Sequence, residues 1–152
     1  MSTWKDVRES PGHLVARFFT SLSAAPPTID DENWVEDVLS TPERSLWIRL
    51  SNQDRRHSVG VARCFAEGRP SATRAEVAGA LLHDVGKIDC ELGTFERVVA
   101  TLVGPRTRRF RSYHLHEEIG ARMAALGGSD PATVALIAAE GPAYDDLERC
   151  DH

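Results

Sequence analysis

Apolar residues along this chain recur at three- and four-residue spacing and nowhere settle into sustained alternation, a pattern that predicts helices rather than strands. The expected fold class is all-α, a compact bundle of about six to eight helices. A short amphipathic helix is expected from Pro11 to Leu22, and Pro26-Pro27, which lack amide hydrogens, cannot continue it. Residues 1–30 therefore read as an N-terminal helical extension with its linker, and residues 31–152 as the main domain.

Within that domain a helix is expected over Glu32–Leu39, and Thr41-Pro42 supplies an N-cap followed by proline at the first helical position. Ser51-Asn52-Gln53-Asp54 has the form of a capping box with aspartate in place of glutamate, opening a helix to about Glu67 that Gly68 and Pro70 stop. Thr73-Arg74-Ala75-Glu76 is a clearer box, opening Ala75–Asp84, which Gly86 ends. Further helices are expected over Thr94–Val103, Ser112–Leu126 and Asp130–Glu140, closed by Gly104-Pro105, Gly127-Gly128 and Gly141-Pro142. Asp145–His152 reads as a last turn or two. Trp4, Trp34 and Trp47 read as packing aromatics.

Composition narrows the partners. Across 152 residues, 18 basic and 23 acidic side chains leave a net charge of −5, which opposes bulk attraction to nucleic acid or anionic lipid. The basic run Arg106–Arg111, expected as a loop, is the local exception: it suits a nucleotide, a polyphosphate or an RNA end as well as it suits a solvated loop. No signal-like or membrane-spanning apolar run is present. Cys64, Cys90 and Cys150 are odd in number and lack C-x-x-C spacing, so no disulfide framework or zinc knuckle is expected, in keeping with a reducing cytoplasm.

The candidate chemistry begins where Ala80-Leu81-Leu82, a core-like run, ends in His83-Asp84. Adjacent helical residues diverge by about 100°, so both reach one point only from a helix end, which Gly86 provides. His57 on the preceding helix would join them if the two helices pack side by side. Imidazole with carboxylate suits Mn, Fe, Co, Ni or Zn better than calcium. Spacing alone leaves a metal site and hydrogen-bonded core histidines equally open.

These residues resemble the HD-domain metal-dependent phosphohydrolases, whose signature is H…HD…D on a helical bundle. His57 matches the first histidine helix, Ala80–Lys87 (ALLHDVGK) the central motif, and His116-Glu117-Glu118-Ile119-Gly120-Ala121 the HPxxGA element with Glu117 in the proline position. Leu147-Glu148-Arg149-Cys150-Asp151 is similar to the family's closing Leu-x-x-Ala-Asp pattern, with Cys150 in the alanine position. The resemblance, which covers roughly residues 34–152, implies one divalent transition ion held by His57, His83, Asp84 and Asp151, with Asp145 and Asp146 as substitutes for the last. Where binuclear relatives carry a Glu-His-His run this chain has Ala138–Pro142, so no second metal is expected.

The implied reaction is hydrolysis of a small phosphate ester, such as a nucleotide. Asp84 would hold the attacking water, Lys87 would compensate phosphate charge, and His116 would serve as general acid or phosphate contact. Arg55 and Arg56 would add an anion fork, whereas His114 should face elsewhere. The alternative is a catalytically degenerate domain that binds or signals; iron-type oxidative or lyase chemistry ranks lower. Nothing in the residues sets the oligomeric state.

Overall fold

A computed structural model describes residues 24–89 and 108–151, which form seven α-helices and one 3-10 turn with no strand among them. The helices are α1 (Ile29–Val38), α2 (Thr41–Trp47), α3 (Asn52–Gly68), α4 (Arg74–Leu82), α5 (Arg108–Leu126), α6 (Pro131–Ile137) and α7 (Tyr144–Cys150); the 3-10 turn η1 (Val85–Asp89) follows α4. The helices expected at Pro11–Leu22 and Thr94–Val103, with Trp4, Cys90 and Arg106, lie outside the described residues. No helix among those described is long and apolar enough to cross a membrane.

Local chemistry accounts for most helix starts. Thr28, Ser40, Ser51, Thr73 and Asp130 each cap a helix by accepting a backbone N–H. Ser40, not Thr41, caps α2: its side chain and that of Glu43 form a reciprocal box, and Glu43 is buried doing so. The helix expected to begin at Ser112 begins at Arg108 instead, so Arg108–Arg111 is helical backbone rather than loop.

Helix α4 is the centre. Val77 through Leu82 are all buried, as befits a helix apolar on every side, and α1, α2, α3 and α6 pack around it. Gly79 lets α6 close in, because a Cβ there would come within 3.0 Å of Leu136 Cβ, and Thr133 of α6 donates its hydroxyl to Ala75 O at 2.7 Å. Trp47 fills the space between α2 and α3 and donates Nε1–H to Ser58 Oγ at 2.9 Å, so its one polar atom is satisfied. Trp34 is half-buried under the Arg63 guanidinium, 4.5 Å from the ring centroid.

Two helix ends direct the chain beyond them. Helix α4 stops at His83, its C-cap, and the chain tightens into η1. There a Cβ on Gly86 would overlap the carbonyl of His116, so only glycine lets η1 lie directly on α5. Helix α6 ends at Ile137, short of the Gly141-Pro142 breaker, because Glu140 N–H bonds Ala135 O and Ala139 N–H bonds Leu136 O around Ala139 at φ 61°.

One expectation is overturned. Cys64 on α3 and Cys150 at the end of α7 form a disulfide across 86 residues of sequence, their Cα atoms 5.8 Å apart. Counting cysteines missed this pair because the fold, not local spacing, brings them together.

Candidate metal centre

Three helix ends or faces converge at one point. His57 lies in the second turn of α3, His83 caps the C-terminus of α4, and Asp151 follows α7. Asp151 Oδ1 is 2.8 Å from His57 Nε2 and 3.2 Å from His83 Nε2, and the two imidazole rings are tilted with centroids 5.8 Å apart. All three ligand atoms lie within 4.8 Å of one another. The opposite nitrogen of His83, Nδ1, is 2.7 Å from Ala80 O. A carbonyl only accepts, so Nδ1 carries hydrogen; Nε2 then donates to Asp151 when the ring is protonated and turns a lone pair into the site when the ring is neutral.

Charge follows the geometry. Burial alone would push the Asp151 carboxyl up, but hydrogen bonds from His57 and His83 hold it far below the usual carboxylate range. Burial likewise opposes charge on His83, yet the Asp151 hydrogen bond and the charges of Asp84 and Asp151 raise its pKa. A carboxylate bracketed by two ring nitrogens is therefore anionic. The set fits a divalent transition ion: two imidazoles and one carboxylate already face one another, and one tautomer is fixed by a backbone carbonyl.

Asp84 stands beside this trio. Its Oδ2 is 3.5 Å from His83 Nε2 and accepts from Lys87 Nζ at 2.8 Å. Although Lys87 is partly buried, which disfavours its charge, Asp84 raises its pKa, so the two form a stable ion pair at the rim. Lys87 and His116 line the same cavity, which has a volume of about 170 Å3. The pKa of His116 is lowered by burial first and by the Lys87 charge second, so its ring favours the neutral form.

Other expected residues lie elsewhere. Arg55 turns away from the cavity, its guanidinium 5.4 Å from the Trp47 ring and 3.5 Å from Glu32 Oε1, so it forms no anion fork with His57. Arg56 is half-buried and does not line the cavity. Both corrections have one cause: neighbours on a helix diverge by about 100°, and His57 takes the face toward α4 and α7. Asp146 is paired to Arg69 at 3.0 Å and Asp145 is exposed, so of the three closing acids it is Asp151 that reaches the histidines. His114 lies on α5, and its side chain is outside the described residues.

Three cavity residues were not anticipated. Glu117, Tyr144 and Glu148 line it together with the apolar side chains of Leu136, Ile137 and Leu147. Glu117 had a signal, since it occupies a position where the resembled motif has proline; Tyr144 and Glu148 share a face of α7 one turn apart but carry no motif. Burial raises the Tyr144 pKa, and Glu117 and then Glu148 push it in the same direction. No family model, no curated protein and no solved structure matches this chain.

Proposed function

We propose that this protein is an HD-domain-type phosphohydrolase that uses one divalent transition ion to hydrolyse a small phosphate ester such as a nucleotide. The observation that carries the reading is the convergence of His57 Nε2, His83 Nε2 and Asp151 Oδ1 from three separate helices onto one cavity. Three converged protein donors, with Asp84 adjoining, leave coordination positions open, the arrangement that catalytic rather than structural sites share.

His57, His83 and Asp151 would hold the ion, with Asp84 as the adjoining fourth donor, and its positive charge would acidify a water and polarise a phosphoryl oxygen. The chain's own groups do the rest. Lys87 places an ammonium beside the phosphate, and its bond to Asp84 aims it there. His116, whose pKa burial lowers, is suited to accept a proton from the attacking water rather than to act as the general acid or charged phosphate contact expected of it. Leu136, Ile137 and Leu147 make part of the cavity lining apolar. Asp84, Glu117, Glu148 and Asp151 outnumber Lys87 around the cavity, so an anionic ester enters only when the ion supplies compensating charge. We place the protein in the cytoplasm.

Metal analysis of the purified protein and a hydrolysis scan of nucleoside monophosphates, cyclic nucleotides and polyphosphates with Mn, Co and Ni test this reading. Bound metal together with metal-dependent release of phosphate is the expected result. A chain that takes up no transition metal and hydrolyses nothing in the scan sinks it, and metal binding without hydrolysis favours a binding module.

A further inference from the structure

The Cys64–Cys150 disulfide has one cysteine two turns beyond His57 on the same face of α3 and the other immediately before Asp151. It thus joins the two elements that supply metal-type donors, and it does so next to one of them. We infer that this bond is a redox gate on the metal site: closed, it holds Asp151 against His57 and His83; open, it lets Asp151 withdraw and the site loses affinity for its ion. The inference rests on the metal-centre reading above.

The anchoring of α7 carries the argument. The helix has two turns, and its N-cap, Ala143, makes no side-chain hydrogen bond, so it has little stability of its own. Leu147 is buried in the core, and Asp146 meets Arg69 at 3.0 Å, but both hold the upstream part of the helix. Beyond them the disulfide ties the backbone from which Asp151 extends to α3, alongside the hydrogen bonds that the Asp151 carboxylate accepts from His57 and His83. With the bond broken, the last turn loses its covalent tie and frays more readily, so the carboxylate is held less firmly between the imidazoles. Cys64 is solvent-exposed, so an exchanging thiol reaches it without unfolding the core. In a reducing compartment a disulfide so placed is transient or sensing rather than a permanent staple.

The exchange balances as a two-electron step with a dithiol as reductant. One of its thiolates attacks Cys64 Sγ, the Sγ–Sγ bond breaks, and Cys150 leaves as a thiolate that takes up a proton. The second thiol of the reductant then resolves the mixed disulfide, releasing Cys64 as a thiol and leaving the reductant oxidised. Closure is the reverse step, driven by a disulfide of the same class.

Co2+ binding to the full chain, read by its visible absorption and by equilibrium dialysis, tests the gate. The forms compared are the oxidised protein, the dithiol-reduced protein after anaerobic desalting, and C64S/C150S. Thiol counts of one and three mark the first two states, because Cys90 is the remaining cysteine. Binding should weaken by about tenfold or more on reduction, as loss of a site's supporting interactions does elsewhere. Re-oxidation should restore it, C64S/C150S should behave as the reduced form, and D151N should make reduction nearly silent. Equal Co2+ affinity in both redox states overturns the gate while leaving the metal centre standing. An oxidised chain that binds no Co2+ overturns the metal centre itself. Loss of far-UV circular dichroism on reduction also overturns the gate, since the bond would then be holding the whole fold.

Discussion

At the scale of single residues, the site is an arrangement of one buried and one exposed imidazole around a carboxylate. The buried member, His83, has its Nδ1 committed to Ala80 O, and that bond specifies which nitrogen faces the cavity. Lys87 and Asp84 show a different economy, in which each neutralises the other at the rim. Replacing Lys87 with Met should therefore move two measurements in opposite directions. Metal binding should tighten by about fivefold, roughly 1 kcal/mol at a partly exposed site, because a cation has left and Asp84 is released. On the proposed function, KM for a phosphate ester should rise, since the ammonium proposed to meet it is gone. Isothermal titration with Co2+ and steady-state kinetics read the two effects, and a Lys87 that served only as the cation paired to Asp84 would move the first and leave KM unchanged. His57, His83 and Asp151 were legible because their chemistry is rare at such positions. Arg55 was misread because charge beside a histidine in sequence does not mean charge beside it in space: the guanidinium sits on Trp47.

Among elements, the capping residues Ser51 and Thr73 announced α3 and α4 correctly, since an N-cap acts through hydrogen bonds only a few residues long. Helix ends were harder. Helix α6 was expected to run to the glycine-proline breaker, but it closes around Ala139, an alanine in the left-handed region that sequence signals assign to glycine. Ala139→Gly should relieve that strain and stabilise the fold by about 0.5–1 kcal/mol, seen as a higher midpoint in urea unfolding. A lower midpoint would mean that the Ala139 methyl packs for more than its backbone costs. The Cys64–Cys150 pair was illegible for the opposite reason. Nothing local marks it, although Cys64 shares a face with His57 and Cys150 adjoins Asp151, so pairing those two candidate donors also pairs the cysteines.

For the molecule as a whole, the all-helical bundle followed directly from apolar periodicity, whereas the central place of α4 shows in the unbroken buried run of the folded chain. What periodicity does not hold is the order in which faces meet, which decides that α3, α4 and α7 share a site. Because its donors come from helices distant in sequence, the site exists only in the folded chain, and an ion that binds it stabilises that state. Co2+ at a hundred times its dissociation constant should contribute about 2.7 kcal/mol. For a domain of this size that raises the melting temperature by about 5–10 °C in differential scanning calorimetry. His57→Ala should abolish the shift, whereas a shift of equal size in that variant would place the ion elsewhere.

The unequal burial of the two imidazoles also sets how an ion would come and go. The His83 side chain is 8% exposed and that of His57 45%, so the inner ligand is sealed by the core while the outer one opens to solvent. On the proposed reading, exchange would proceed by way of His57: a departing ion would release that ring first, and a competing chelator would reach it there. Residence time, more than equilibrium occupancy, is then governed from the α3 side, and two variants of equal affinity can differ widely in how fast a chelator strips them.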